Sequence, residues 1–212
     1  MHEPSGLRER KKEATRQRLM RAAFDLFEEH GFDDVSCGRI AAAAEVSKKT
    51  LFNYFSLKAD LILDAERHHV HDLADVVRAR EPGQTPHGAL HAQLLAALAQ
   101  RLPATGLSDR PEALRLRRLI RANPMLAERE RQFQDQRQRL LAEALIEENS
   151  PELTARLIAT QVHGIRQVLF AENTRRVLAG EAADDVYPDA VAAAECAFRL
   201  LAEGLGDRLR RG

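Results

Sequence analysis

The chain has 212 residues, 44% of them hydrophobic and 30% charged, with 32 basic side chains against 32 acidic ones. That leaves ample material for a core and excludes a protein that grips polyanions over its whole surface. Cys37 and Cys196 stand far apart and read as free thiols, and no apolar leader or run of about 18 apolar residues is present, which together predict a cytoplasmic protein with no membrane partner.

No segment alternates polar and apolar residues over a strand length, so the expected fold class is all-α with about nine helices. A helix over 8–30 opens the chain. Its first turns are basic: between residues 8 and 21 seven Arg and Lys face only Glu9 and Glu13. Leu19, Ala23, Leu26 and Phe27 give it an apolar face, and Gly31 is a plausible stop. Short helices follow over 37–44 and 48–54, with Ser36 and Ser47 as N-cap candidates. Next come 57–80, with Ser56 before it, then 86–101, 109–122, 124–148, 151–179 and 188–207. Thr85-Pro86, Asn123-Pro124 and Ser150-Pro151 each set a capping side chain before a proline at the first helical position. Gly180 closes the helix over 151–179. Segments 81–85 and 102–108 read as loops. The expected domains are 1–56 and 57–212.

The stretch Ser47–Phe55, SKKTLFNYF, sets two lysines among three of the chain's ten Phe and Tyr. Ile40, Ala41 and Ala44 share one face of the preceding helix. Leu51, Phe52 and Phe55 supply an apolar face to the next. Two short helices packed steeply on the first long one make a helix-turn-helix layout. Lys48, Lys49, Thr50 and Asn53 then lie on the outer face, where they reach base edges and phosphates of a major groove. On spacing alone, a short amphipathic helix with a solvated basic face fits the pattern too.

Residues 13–63 resemble the DNA-binding domain of the TetR family of transcriptional regulators. The matching elements are the basic helix ending in LFEEHGF, then Val35-Ser36 followed by Ile40-Ala41, then VSKKTLFNYF, then Ser56, Lys58, Ala59, Asp60 and Leu61. The resemblance implies an all-helical homodimer that binds double-stranded operator DNA through three helices and a small-molecule effector through the rest, without a cofactor. It puts Lys48, Lys49 and Thr50 on the groove-reading helix. Tyr54, Ser36 and Lys58 fall at phosphate-contacting positions, the last two at helix starts that favour anions. Two positions depart from the pattern. Glu45 replaces a common glycine in the turn, and Phe52 replaces a common tyrosine.

In the larger part, Ile62, Ala65, His69, Leu73 and Val76 form a stripe along 57–80, with His69 either a core histidine or a polar contact to the effector beside Leu73. Asp64, His68, His71 and Asp75 form a second row, a solvated face or, on an alternative reading, the site of a metal-responsive regulator. Helix 151–179 is apolar on two sides. Ile158, Val162, Ile165 and Leu169 form one row, and Leu153, Leu157, Thr160, Gly164 and Val168 another. With the small residues Ala193, Ala197 and Gly204 of the last helix, this predicts a four-helix dimer interface, a fully intramolecular core being the other way to cover both faces. Residues 114–145 resemble the ligand domain of mycofactocin-system regulators of the same family. That implies an acyl-CoA or another apolar ligand, with Arg117 and Arg121 receiving phosphates or lying on a solvated face. His163 is a further ligand candidate. No nucleophile elbow, phosphate loop or HExxH is present, so an enzyme is not expected. The whole reads as a repressor released from its operator by a small molecule.

Overall fold

The computed structural model describes residues 4–204. Every regular element among them is helical: α1 (Pro4–His30), α2 (Cys37–Ala43), α3 (Lys48–Tyr54), α4 (Asp64–His68), α5 (Asp72–Arg78), α6 (Pro86–Ala99), α7 (Pro111–Ala122), α8 (Pro124–Glu147), α9 (Glu152–Leu178) and α10 (Ala183–Glu203), with short 3-10 turns at Lys58–Leu61 and Pro103–Thr105. By contacts the chain divides into two units. The first holds the chain up to His68 together with Leu116–Arg131, and the second holds His69–Arg115 and the chain from Gln132 onward. The 3-10 turn and α4, which lie beyond the expected boundary at residue 56, thus pack with the first unit.

Local capping sets four of the helix starts. The side chains of Ser36, Ser47 and Thr85 accept the backbone N–H groups of Arg39, Thr50 and Gly88. Asn123 Oδ1 accepts from Met125 and Leu126, at 3.0 and 3.2 Å. Each satisfies donors that the first helical turn leaves orphaned. Ser56 and Ser150 were expected to cap as well, but the helices after them start at Lys58 and Glu152 without a side-chain cap. The last helix starts at Ala183, five residues before Pro188. Its cap comes from far away in sequence: Asp109 accepts the Ala183 N–H at 2.9 Å.

The continuous helix expected over 57–80 is instead three short pieces. The chain turns at residues 69–71, so the stripe through Ile62 and Leu73 fails between them. Ala65 and His69 are exposed, the His69 ring at 57%, and His69 Nδ1 donates to Asp72 at 2.9 Å. The proposed metal row breaks at the same place. Asp64 is buried and its carboxylate is taken by Arg16 and Arg67. Among the described residues no group of three or more His, Cys, Asp or Glu is gathered as a metal site would require.

The core of the first unit is built from Leu19, Ala23 and Phe27 of α1, Ile40 and Ala41 of α2, and Leu51 and Phe55 around α3, all buried. In the second unit, Leu73 and Val77 of α5, Leu90, Leu94 and Leu98 of α6, Ala155, Ala159 and Val162 of α9, and Ala194 and Phe198 of α10 form one cluster. Among the described residues no helix is long and apolar enough to cross a membrane.

Candidate functional site

The short helix α2 packs on both α1 and α3, and the outer face of α3 is left to solvent. Lys48, Lys49 and Asn53 are exposed there, and Ser36 is exposed at the start of α2. Thr50 and Tyr54 are partly buried at the edges of that face. The Thr50 hydroxyl is 2.8 Å from that of Ser47, which ties it into the cap. The predicted groove-reading residues are therefore brought together on one short helix.

Phe52 is the exception to the expected packing. It was placed with Leu51 and Phe55 on the buried face, yet it is 46% exposed, with the Lys48 ammonium 5.9 Å from its ring centroid. Phe52 lies about 100° round the helix from Leu51, at the border of the buried face and one turn after Lys48. An exposed ring on this face adds an apolar surface of the kind that meets thymine methyl groups.

Lys58 is also placed differently from the expectation. Its ammonium donates to the carbonyls of Phe32 and Val35 at 2.7 and 3.1 Å, and it stands 4.2 Å from the Phe32 ring centroid. It pins the loop between α1 and α2 instead of facing outward. Arg16 is likewise consumed internally. It makes a two-pronged ion pair with Asp64 and lies over the Phe55 ring at 5.2 Å, and the carboxylate raises its already high pKa. The basic outer residues of α1 are exposed.

The turn between α2 and α3 puts Glu45 at φ 54, left-handed. Glu45 N–H donates to Ala42 and Val46 N–H to Ala41, at 3.0 and 2.9 Å, which closes α2 in the manner of a glycine-ended helix. A residue with a Cβ is strained there. We expect Glu45→Gly to raise stability by about 0.5–1 kcal/mol, net of the extra freedom of glycine in the unfolded chain. The same change removes a negative charge beside α3 and should tighten DNA binding. Urea midpoints and DNA titrations at one salt concentration check both effects.

Of the ligand candidates, Arg117 is paired with Glu66 at 3.6 Å and, more closely, with Glu130, while Arg121 is exposed. Both belong to the first unit. In the second unit Leu73 is buried, His69 lies at the surface, and His163 is partly buried on α9. Burial, and after it Arg137, lower the His163 pKa.

A short, exposed, basic helix presented by a helical tripod makes the first unit a helix-turn-helix DNA-binding domain. Residues 19–65 match the family model described as bacterial regulatory proteins, tetR family. The chain is 43% identical over 53 residues, 25% of its length and 27% of the relative's, to the uncharacterized HTH-type transcriptional regulator YdeS of Bacillus subtilis (strain 168). It is 30% identical over 95 residues, 45% of its length and 42% of the relative's, to the HTH-type transcriptional regulator TcmR of Streptomyces glaucescens. The chain thus spans less than half the length of the curated relatives it matches. Its fold is similar to that of NalD, the secondary repressor of the MexAB-OprM multidrug efflux pump in Pseudomonas aeruginosa. There the TM-score is 0.57 at 20% identity, covering 89% of this chain and 96% of that one. Residues 19–65 of the chain thus match a TetR-type helix-turn-helix domain.

Proposed function

We propose that the protein is a cytoplasmic repressor that binds a palindromic operator as a homodimer and is released by a small-molecule effector. The observation that carries the DNA part is the outer face of α3, where Lys48, Lys49, Phe52 and Asn53 stand exposed together. Ser36 and Tyr54 fix the helix against phosphates, and Lys49 and Thr50 read base edges. The dimer reading rests on α9. Leu153, Leu157 and Val168 are 69%, 55% and 70% exposed, and they share one face with Thr160 and Gly164 while the opposite row packs into the core. A contiguous apolar face of that length on a soluble regulator marks an interface. The effector acts by population shift: it binds more tightly to a conformation whose two DNA heads no longer match successive major grooves, roughly 34 Å apart. No chemical step is involved.

Selection from random duplexes tests the reading. Wild type should enrich a two-fold symmetric site. Tyr54→Phe should weaken binding to all sequences alike, whereas Lys49→Ala and Thr50→Ala should also change the bases preferred in each half-site. An unchanged motif for both of the latter would remove them from the reading face.

A further inference from the structure

The core-facing stripe of α9 runs Ala155, Ala159, Val162, Arg166, Leu169, Asn173 and Val177, spaced three or four residues apart. Six of these seven positions hold apolar or neutral side chains that are buried or packed on the core. The seventh, in the middle, is an arginine. Arg166 Nη1 donates to Gln93 Oε1 of α6 at 3.0 Å, and among the described residues it forms no ion pair with a carboxylate. Arg16 and Arg117, also partly buried, each have one. His163 lies one turn earlier on the same helix, and Arg137 of α8 adds a second positive charge close enough to act on both. Burial first, then Arg137, push the Arg166 pKa down to about 10, against a weaker opposing pull from Asp72. Asp135 opposes the shift of His163 in the same way.

A guanidinium on a core stripe with only a neutral amide for a partner is costly, because desolvation of the charge is not repaid by an opposite one. The nearby groups Arg137 and His163 do not supply that opposite charge. An anion at this place would meet a planar donor fork, the Gln93 amide and an imidazole, on a helix whose stripe is otherwise packed on the core. We propose that Arg166, with His163 and Gln93, receives the anionic head of the effector, a carboxylate or a phosphate carried on an apolar body. This rests on the regulator reading above and names the chemistry of its ligand.

The probes are decanoate, decyl phosphate, decanol and decyltrimethylammonium, all below micelle-forming concentrations, added to the full-length protein. Thermal unfolding and calorimetric titration read binding without DNA. Both anions, or one of them, should raise the unfolding midpoint, and which one does identifies the head group. Decanol and the cation should bind at least tenfold more weakly, and an equal response to decanol overturns the proposal. Arg166→Gln should weaken anion binding by tenfold or more. In the absence of ligand Arg166→Met should raise the unfolding midpoint, since it relieves an uncompensated charge. Affinity within twofold of wild type in Arg166→Gln overturns the assignment. If that variant fails to fold, Arg166→Lys keeps the charge but loses the fork, and it should bind the anion severalfold more weakly. Unchanged affinity in the lysine variant has the same consequence. DNA binding by ligand-free wild type is measured separately. DNA binding without anion binding sinks this inference alone, and anion binding without DNA binding sinks the repressor reading.

Discussion

Gly164→Arg should convert the protein to a monomer. A Cβ built on Gly164 meets nothing within 4 Å in the protomer, so the new side chain leaves the core of the second unit alone. Its effect falls on whatever covers the exposed face of α9. If that is the same face of a second copy, two arginines meet across the symmetry axis in place of two hydrogens. Burying them unpaired costs about 4 kcal/mol, nearly a thousandfold in the dimer dissociation constant. Light scattering should show a monomer with an unchanged far-ultraviolet spectrum. Half-site binding should survive while binding to the full palindrome collapses. A dimer that persists at micromolar concentration would place the interface elsewhere.

Asp64→Ala should cost the first unit about 3 kcal/mol, the usual penalty for leaving one member of a buried ion pair alone. The Asp64 side chain is 6% exposed and that of Arg16 is 14% exposed. Removing the carboxylate leaves the Arg16 guanidinium against Phe55 without a counter-charge, and Arg67, more open to water, contributes less. The double variant Arg16→Met, Asp64→Leu should recover most of the loss, because an apolar pair of similar volume needs no desolvation. Urea unfolding of both proteins measures the difference. A single variant as stable as wild type would mean that water already serves the pair.

The helix-turn-helix was legible in the sequence because its signals are local. Ser36 and Ser47 cap the helices that follow them within three residues. The apolar spacing of Ile40, Ala41, Leu51 and Phe55 fixes which faces turn inward. The left-handed Glu45 follows from the need to end α2 sharply before α3 begins. The outward-facing set Lys48, Lys49 and Asn53 follows from that geometry by subtraction. The exposed apolar row of α9 was legible for the same reason: a 27-residue helix with two apolar rows cannot bury both on one neighbour.

What only the tertiary structure decided depends on partners distant in sequence. Lys58 looks like a phosphate contact from its place at a helix start, but the carbonyls of Phe32 and Val35 lie within its reach and claim it. Arg117 looks like a free cation until Glu130 and Glu66 come round to it. The break at residues 69–71 carries no proline or glycine, so nothing local foretold the loss of the His69 stripe. The last helix begins at Ala183 because Asp109, on another segment, supplies the cap. Arg166 lies between two apolar rows, and periodicity registers an arginine as an interruption and says nothing of its neighbours. A charge states its cost only once the groups around it are known, and those are set by packing, not by spacing along the chain.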